Sequence, residues 1–544
     1  MKFKISDYRL LILVVLGIIF FFIYSFLIFG NSVARFTWPD ETANYFFIKN
    51  YIEHSNFSVA EPLNEIANDL IKPRSFNVYN HNLVPGSFLG MLLIYGLIGK
   101  IVGIGLIKFL TPLLAVLAGL FFYKILLKIF EPKIAFLSGF LFFINPAWWY
   151  YANLSMLPNI SFLSFLIIGL YFLLQINKER KQKNWPWVIL GSFFIALALI
   201  IRTNEFLWIL VALIFLAIVY YKKLKWQYVG LFALVCILVF LPIFYYNQAT
   251  YGQALSFGYL RLENGQSLTS QLPTEFKTTG FGALNFIKFL VLPFGLHPVT
   301  ILKNFYNYYF ILFWWLLIST CLGGFVFIKN YHEKKQGVYF LLCFVISLYL
   351  LIYYGSWQFA DQLTLALNRI GISYVRYFLP IYILSLPFIV IFLSTLISFF
   401  QNKKIKILMG LFFALIFLGF SINVVYLSGY DNLIKIKQSI KDYAEINKKV
   451  IGLTENNAVI ISSRSDKIFF PERKVIGVWQ NGDLEIWLKL VDANVPLYYY
   501  ATESVPFLEQ LDSDMYKFDM ELTNETQIEG NNYLYRIDYI NYEE

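Results

Sequence analysis

Long apolar segments alternate with short basic ones along most of this chain. An apolar run of roughly 18 or more residues reads as a helix that crosses a membrane. Runs of that kind, or close to it, cover Leu10–Phe29, Leu106–Tyr123, Ile134–Ile144, Ile160–Leu174, Val188–Ile201, Phe206–Tyr221 and Val229–Tyr245. The series continues with Tyr309–Ile328, Tyr339–Tyr354, Tyr377–Phe400 and Ile407–Leu427, for about eleven spans in all. The first run follows Lys2, Lys4 and Arg9 as a signal peptide would, but it is long and lacks a small-residue cleavage site, so it reads as an uncleaved span. Phe88–Ile104 is Gly-rich and interrupted by Lys100, and reads as an interfacial or re-entrant helix.

The basic residues give an orientation. Lys124, Lys128 and Lys133 fall in one short loop, and Lys178, Arg180, Lys181 and Lys183 in another. Lys222, Lys223 and Lys225 follow, then Lys329, Lys334 and Lys335, then Lys403, Lys404 and Lys406. Every second loop is basic, which places the N-terminus in the cytoplasm. Counting Phe88–Ile104 as a span would invert everything downstream. Three long segments are then external: Gly30 to about Gly105, Asn247 to about Tyr308, and Ser428 onward. From Asp431 the chain takes on soluble character. Ala458–Ser462, Val475–Val478, Leu497–Ala501 and Tyr533–Tyr539 read as strands, and Asp431–Lys449, Leu484–Asp492 and Val505–Leu511 as helices. The expected fold class is an α-helical polytopic membrane protein, residues 1–429 with a first external loop at 31–105, followed by a small extracytoplasmic α/β domain at 430–544.

Composition agrees with this reading. Of 544 residues, 58% are hydrophobic and 14% charged, against about a quarter charged in a soluble domain. The net charge of +10 is mostly topological, so no nucleic-acid partner is expected. Cys236, Cys321 and Cys343 lie in apolar runs and read as core residues, and four His without clustered Cys argue against zinc.

The sharpest local feature is Trp38-Pro39-Asp40-Glu41, just outside the first span. Pro followed by two carboxylates is also good chemistry for a helix start. The same loop carries Glu61, Glu65, Asp69, Lys72-Pro73-Arg74, Asn80-His81-Asn82 and Pro85-Gly86. An acidic pair in the first external loop, then a Pro-Gly entry to an interfacial helix, resembles the polytopic glycosyltransferases of the GT-C fold class. The nearest are protein mannosyltransferases and aminoarabinose transferases (family 39 and its relatives). Asn145-Pro146, Leu154-Ser-Met-Leu-Pro158, Leu199-Ile-Ile-Arg202-Thr203-Asn204, Tyr246-Asn247 to Gly252, Phe257-Gly258-Tyr259 and Val375-Arg376-Tyr377-Phe378-Leu379-Pro380 continue the resemblance in order. It departs at Met156-Leu157-Pro158-Asn159, where many relatives have a carboxylate.

The resemblance implies transfer of a sugar from a polyprenyl-phosphate carrier in the bilayer to a protein, lipid or glycan hydroxyl outside the membrane. Such an acceptor must lose a proton as it attacks, and a carboxylate in reach can take it. Asp40 is the expected base and Glu41 its helper. One carboxylate and a phosphate leaving group suit inversion in a single displacement. The departing phosphate calls for fixed cations, for which Arg376, Arg202, Arg369, Lys72 and Arg74 are candidates. Arginines at span ends also serve as interfacial anchors, and loop cations are often merely solvated. His81, Asn82, Tyr259, His297 and Asp361 are candidate substrate contacts. No cofactor or resident metal is expected; a weakly bound divalent cation at Asp40/Glu41 is compatible with the carboxylate pair. Two other classes fit less of the pattern. A transporter or flippase of lipid-linked glycans would place charges near the membrane midplane. A non-catalytic envelope assembly protein would leave the acidic pair and the arginines without a task.

Overall fold

The computed structural model describes residues 5–31, 34–176, 184–221, 225–260, 291–331, 333–358 and 369–540. The chain forms two compact units, one of Met1–Phe29, Lys108–Leu241 and Pro273–Lys435, the other of Gly30–Ile107, Pro242–Leu272 and Ile436–Glu544.

The first unit is helical, and each of the eleven apolar runs coincides with helix. Several helices begin with proline in their first turn, among them Pro132–Phe143, Pro146–Asn153 and Pro158–Leu173, where the missing N–H costs nothing. Asn145 caps one of them, its Oδ1 accepting from the Trp148 N–H at 3.1 Å. Trp226–Tyr251, Pro298–Asn330, Lys334–Gly355, Leu379–Ser398 and Lys403–Leu427 are each long and apolar enough to cross a bilayer, a total of five among the described residues. Two bent pairs raise this to seven if each counts once: Pro146–Asn153 with Pro158–Leu173, at 117°, and Trp185–Ile201 with Thr203–Val219, at 115°. The sequence count of eleven therefore counts apolar helices, several of which are too short to span by length alone. The first helix, Ile5–Tyr24, exposes Leu11, Val15, Ile18 and Phe22 along one side, an apolar row suited to lipid.

Small residues set the helix contacts in this unit. With lipid outside, van der Waals fit rather than water exclusion must hold helices together. Gly323, on helix Leu312–Asn330, sits against the backbone of helix Leu386–Ser398, where a Cβ would fall 1.8 Å from the Phe388 carbonyl oxygen. Among the described residues nothing comes within 4 Å of a Cβ at the neighbouring Gly324.

In the second unit, helix Pro39–His54 packs on helix Leu89–Val102, where Gly96 admits the Tyr51 ring and Gly99 the Ile52 side chain. The strands β1 (Val59–Ala60), β2 (Phe76–Tyr79) and β3 (Asn82–Pro85) form an antiparallel sheet in the order β1-β3-β2. A second sheet contains β4 (Val459–Ser462), β5 (Lys474–Ile476), β6 (Leu497–Ala501), β7 (Met520–Glu529) and β8 (Asn532–Tyr539), in the order β5-β4-β6-β8-β7. β5, β4 and β6 are parallel, and β8 and β7 add antiparallel. Helices Leu484–Asp492 and Val505–Met515 supply Trp487, Leu490, Leu511 and Met515 to a core with Val459, Ile461, Ile476 and Tyr499. Ala67, Leu70 and Ile71 enter the same core from the segment between β1 and β2. A small α/β domain was expected here, with four strands and three helices near these bounds. The fifth strand, β7, escapes the pattern because Met520–Glu529 is an edge strand rich in Glu, Thr and Asn, with two irregularities in its register.

Adjacent glycines should respond with opposite signs. Gly323→Ala forces a backbone shift and is expected to cost ~1–3 kcal/mol. Gly324→Ala is expected to be neutral or to stabilise by up to ~1 kcal/mol through helix propensity. Unfolding midpoints of both variants in the same lipid measure the difference, and equal shifts would contradict the close contact at Gly323.

Candidate functional site

In the second unit, Asp40 and Glu41 occupy the first turn of helix Pro39–His54, with Pro39 ahead of them. Trp38 is extended (φ −96°, ψ 131°) and makes no side-chain cap. Carboxylates here meet the positive end of the helix dipole. Glu41 is buried and Asp40 half-buried. The Ser75 hydroxyl donates to Asp40 Oδ1 at 2.7 Å. Ser75 has φ +66°, a left-handed conformation held in part by the Gly86 N–H, which donates to the Ser75 carbonyl at 3.1 Å. Gly86 has no room for a Cβ, which would lie 2.6 Å from that same carbonyl oxygen.

The segment from Asn247 onward joins this arrangement. Tyr251 donates to the Pro85 carbonyl at 2.9 Å, and Asn77 Nδ2 to the Gly258 carbonyl at 2.6 Å. Tyr259 meets the Phe88 ring edge-on at 5.0 Å and is about half exposed. Asn82 lies in β3 opposite Tyr79. His81 is in the turn between β2 and β3, exposed, its Nδ1 2.9 Å from Asp69. Lys72 pairs through its backbone with Ile476 and is among the residues lining a cavity of about 200 Å³, with Glu61, Arg473 and Lys474. Arg74 is bound to Asp466, its Nε donating to Oδ1 at 2.8 Å.

In the first unit, Arg202 and Arg376 converge on one ring. The guanidiniums lie 5.0 Å and 5.1 Å from the Tyr377 ring centre, within cation–π range. Both are buried. Arg202 Nη2 donates to Glu205 Oε1 at 2.6 Å and to the Tyr354 hydroxyl at 3.0 Å. Glu205 Oε2 accepts from the Trp208 indole N–H at 2.6 Å, so both carboxylate oxygens are used. Tyr354 stacks on Tyr377 at 4.4 Å. Arg376 Nη2 donates to Ser373 Oγ at 3.2 Å, and its carbonyl accepts from Asn159 Nδ2 at 3.4 Å. Asn159, in the Met156–Asn159 stretch, thus contacts the chain at Arg376.

Arg369 makes a separate cluster. It lies 5.3 Å from the Tyr430 ring, which also has Lys435 Nζ at 4.9 Å. Beside it, Asp431 Oδ2 accepts from the Gly371 N–H at 2.9 Å. Burial pushes the Asp431 carboxyl up, against the pull of that N–H, Arg369 and Lys435. His297 is exposed at the start of helix Pro298–Phe305. Asp361 lies outside the described residues. Sequence reading did not single out Ser75, Glu205, Tyr354, Tyr377 or Asp431 as site residues. Glu205, three residues after Arg202, had a detectable signal as an opposite charge one helical turn away. Among the described residues no group of three or more His, Cys, Asp or Glu could hold a metal ion.

Residues 87–246 match the family model of dolichyl-phosphate-mannose-protein mannosyltransferases. That segment includes Asn159, Arg202 and Glu205 but neither Asp40-Glu41 nor Arg376. No curated protein matches the chain. Among solved structures, the oligosaccharyltransferase of Archaeoglobus fulgidus, tethered with an acceptor peptide containing the NVT sequon, is similar with a TM-score of 0.53 and 13% identity, over 90% of this chain and 69% of that one. The archaeal oligosaccharyltransferase AglB from Archaeoglobus fulgidus, in complex with an inhibitory peptide and a dolichol-phosphate, is similar with a TM-score of 0.50 and 12% identity, over 98% and 74%. At these identities the likeness is one of fold. The protein has the fold of the GT-C glycosyltransferases, as its sequence motifs implied, and is a multi-pass membrane protein.

A buried ion pair is costly to break from one side. Glu205→Ala should destabilise by ~3–5 kcal/mol by stranding the Arg202 guanidinium. The double variant Arg202→Met/Glu205→Leu should lie closer to the wild type than Glu205→Ala does. Denaturation midpoints in one detergent test this, and a double variant worse than the single one would rule out a paired role.

Proposed function

We propose that this protein is a membrane glycosyltransferase that moves a sugar from a polyprenyl-phosphate-linked donor to a hydroxyl acceptor on the outer face of the cell membrane. Its N-terminus is cytoplasmic and its C-terminal domain extracytoplasmic in this reading. The GT-C fold and the match of residues 87–246 support the transferase class. A dolichol-phosphate complex of a protein with this fold supports a lipid-phosphate donor. The acceptor class (protein, lipid or glycan) follows from none of these, although the peptide in the related structure makes protein the first to try.

The observation that carries the mechanism is the Asp40 carboxylate, half-buried in a helix first turn and oriented by the Ser75 hydroxyl. The acceptor oxygen attacks the anomeric carbon and forms the new C–O bond. Its proton passes to the Asp40 carboxylate. The bond from the anomeric carbon to the phosphate oxygen breaks, and its electron pair leaves with the phosphate. A single displacement of this kind inverts the anomeric centre. Glu41 keeps the turn anionic. Arg202 and Arg376, both held on the Tyr377 ring, are the proposed cations for a lipid phosphate, and Arg369 is a third candidate. Two arginines already desolvated in the fold lose little further hydration when they meet an anion, so they are better placed for this task than Lys72 and Arg74. The scheme requires no resident metal.

Purified protein in lipid, offered a panel of radiolabelled polyprenyl-phosphate sugars, should consume one of them and retain that activity in a chelator. Asp40→Asn should bind the same donor and lose ~10²–10⁴-fold in turnover. Equal turnover by Asp40→Asn would remove Asp40 as the base. Failure of the wild type to bind any donor would favour the transporter and assembly readings.

A further inference from the structure

The polypeptide flanking the Asp40 turn is held from the C-terminal domain at two points, and consecutive residues of that domain make both contacts. Asp466 is fully buried. Its Oδ2 accepts from the Arg74 backbone N–H at 2.7 Å and its Oδ1 from the Arg74 Nε at 2.8 Å. Lys467 Nζ donates to the Thr37 carbonyl at 2.6 Å. Arg74 immediately precedes Ser75, the residue that bonds Asp40, and Thr37 immediately precedes Trp38, the first residue of the helix start.

These contacts bear on a strained conformation. A serine at φ +66° persists where its surroundings over-determine it. Here the Asp466 bonds fix the chain just before Ser75 and the Gly86 N–H fixes its carbonyl. The result is a hydroxyl 2.7 Å from Asp40 Oδ1. Neighbouring contacts brace the same seam. Gly477 N–H donates to the Lys72 carbonyl at 3.2 Å, and Arg35 reaches the Phe470 carbonyl at 2.9 Å and Glu472 at 2.7 Å. Gly477 also leaves space for Asp466, since a Cβ there would lie 2.9 Å from the Asp466 Cβ.

We propose that Asp466 and Lys467 are positioning residues for Asp40, Asp466 acting through Arg74 and Ser75 and Lys467 through Thr37. The C-terminal domain then sets the geometry of the proposed base. This rests on the reading of Asp40 as the base. The fold tolerates Lys467 at a cost: burial, with Arg74 and Arg464 nearby, pushes its ammonium down to about 8 against the opposing pull of Asp466. A group with a lowered basic pKa destabilises the fold wherever it is charged, here fully below about pH 8, and the cost fades as pH rises toward the unfolded value. A lysine kept under that cost, with its Nζ on a backbone carbonyl beside the acidic pair, fits positioning better than stability.

The test uses the full chain in lipid nanodiscs. Asp466→Asn keeps an acceptor for the Arg74 N–H and removes the charge. It should lower kcat about tenfold or more with the donor KM unchanged. Combined with Ser75→Ala, it should lower kcat no further than Ser75→Ala alone. Lys467→Met should unfold at the wild-type temperature or above it and still show the kcat loss, so this variant decides the matter if Asp466→Asn does not fold. Amide exchange across residues 38–42 should quicken in both variants. The proposal is overturned if kcat is unchanged in both, if the losses from Asp466→Asn and Ser75→Ala multiply, or if exchange at residues 38–42 stays as in the wild type. If the wild type transfers no sugar at all, the transferase reading fails on its own, and amide exchange alone decides whether the two residues hold the Asp40 turn.

Discussion

A guanidinium taken out of water must find its partners in the protein, and Arg202 finds them at a single break in the chain. Helix Trp185–Ile201 ends there, the path turns through 115°, and Glu205 returns its carboxylate to the guanidinium within one turn. The ion pair then needs its own environment. Glu205 has a second oxygen to satisfy, and Trp208 does so from the next helix. Tyr354 closes the other side of Arg202 and lays its ring on Tyr377. Tyr377 in turn carries Arg376. The position of one buried charge therefore constrains the bend after Ile201, the end of helix Lys334–Gly355 and the start of the span after Ser373. Low dielectric makes this economical as well as demanding, because the same surroundings that penalise a stray charge strengthen each contact made.

The apolar helices were legible from the sequence because hydrophobic length is a local property. Each of the eleven runs needs no knowledge of its neighbours to be read. The number of full crossings was less legible, since bends at Leu154–Leu157 and Arg202 depend on packing. The GT-C fold was legible from the order of weak motifs. The three-stranded sheet at β1–β3 was not, because its strands are two to four residues long and sit in a polar stretch where no period of two can establish itself. The left-handed residues Asn80 and His81 in its turn were present in the sequence as an Asn-His-Asn cluster, which reads equally well as ligand-binding or as turn chemistry.

The same distinction separates the site residues. Asp40-Glu41 stands out because two adjacent carboxylates beside Trp-Pro are conspicuous on their own. Ser75 cannot stand out, since a serine is defined here by a contact 35 residues away. Arg74 read as a loop cation, yet its guanidinium meets Asp466 across 392 residues of chain. Isolated charges in a sequence carry no information on whether water or a distant partner receives them.

The two kinds of carboxylate in the protein can be separated by what they accept. Glu205 is saturated: an arginine and a tyrosine occupy one oxygen and an indole the other, so protonating it would break a network. Asp466 is likewise occupied on both oxygens by Arg74. A general base must instead gain a proton during turnover without dismantling its support, which favours a carboxylate held by neutral donors over one locked to a guanidinium. In the proposed scheme Asp40 accepts from the Ser75 hydroxyl, which can rotate and reverse its role if the carboxylate takes up a proton. A hydroxyl partner of this kind can stay in place whether the proposed base is ionised or protonated, whereas the guanidinium contacts of Glu205 and Asp466 would lose their charge partner on protonation.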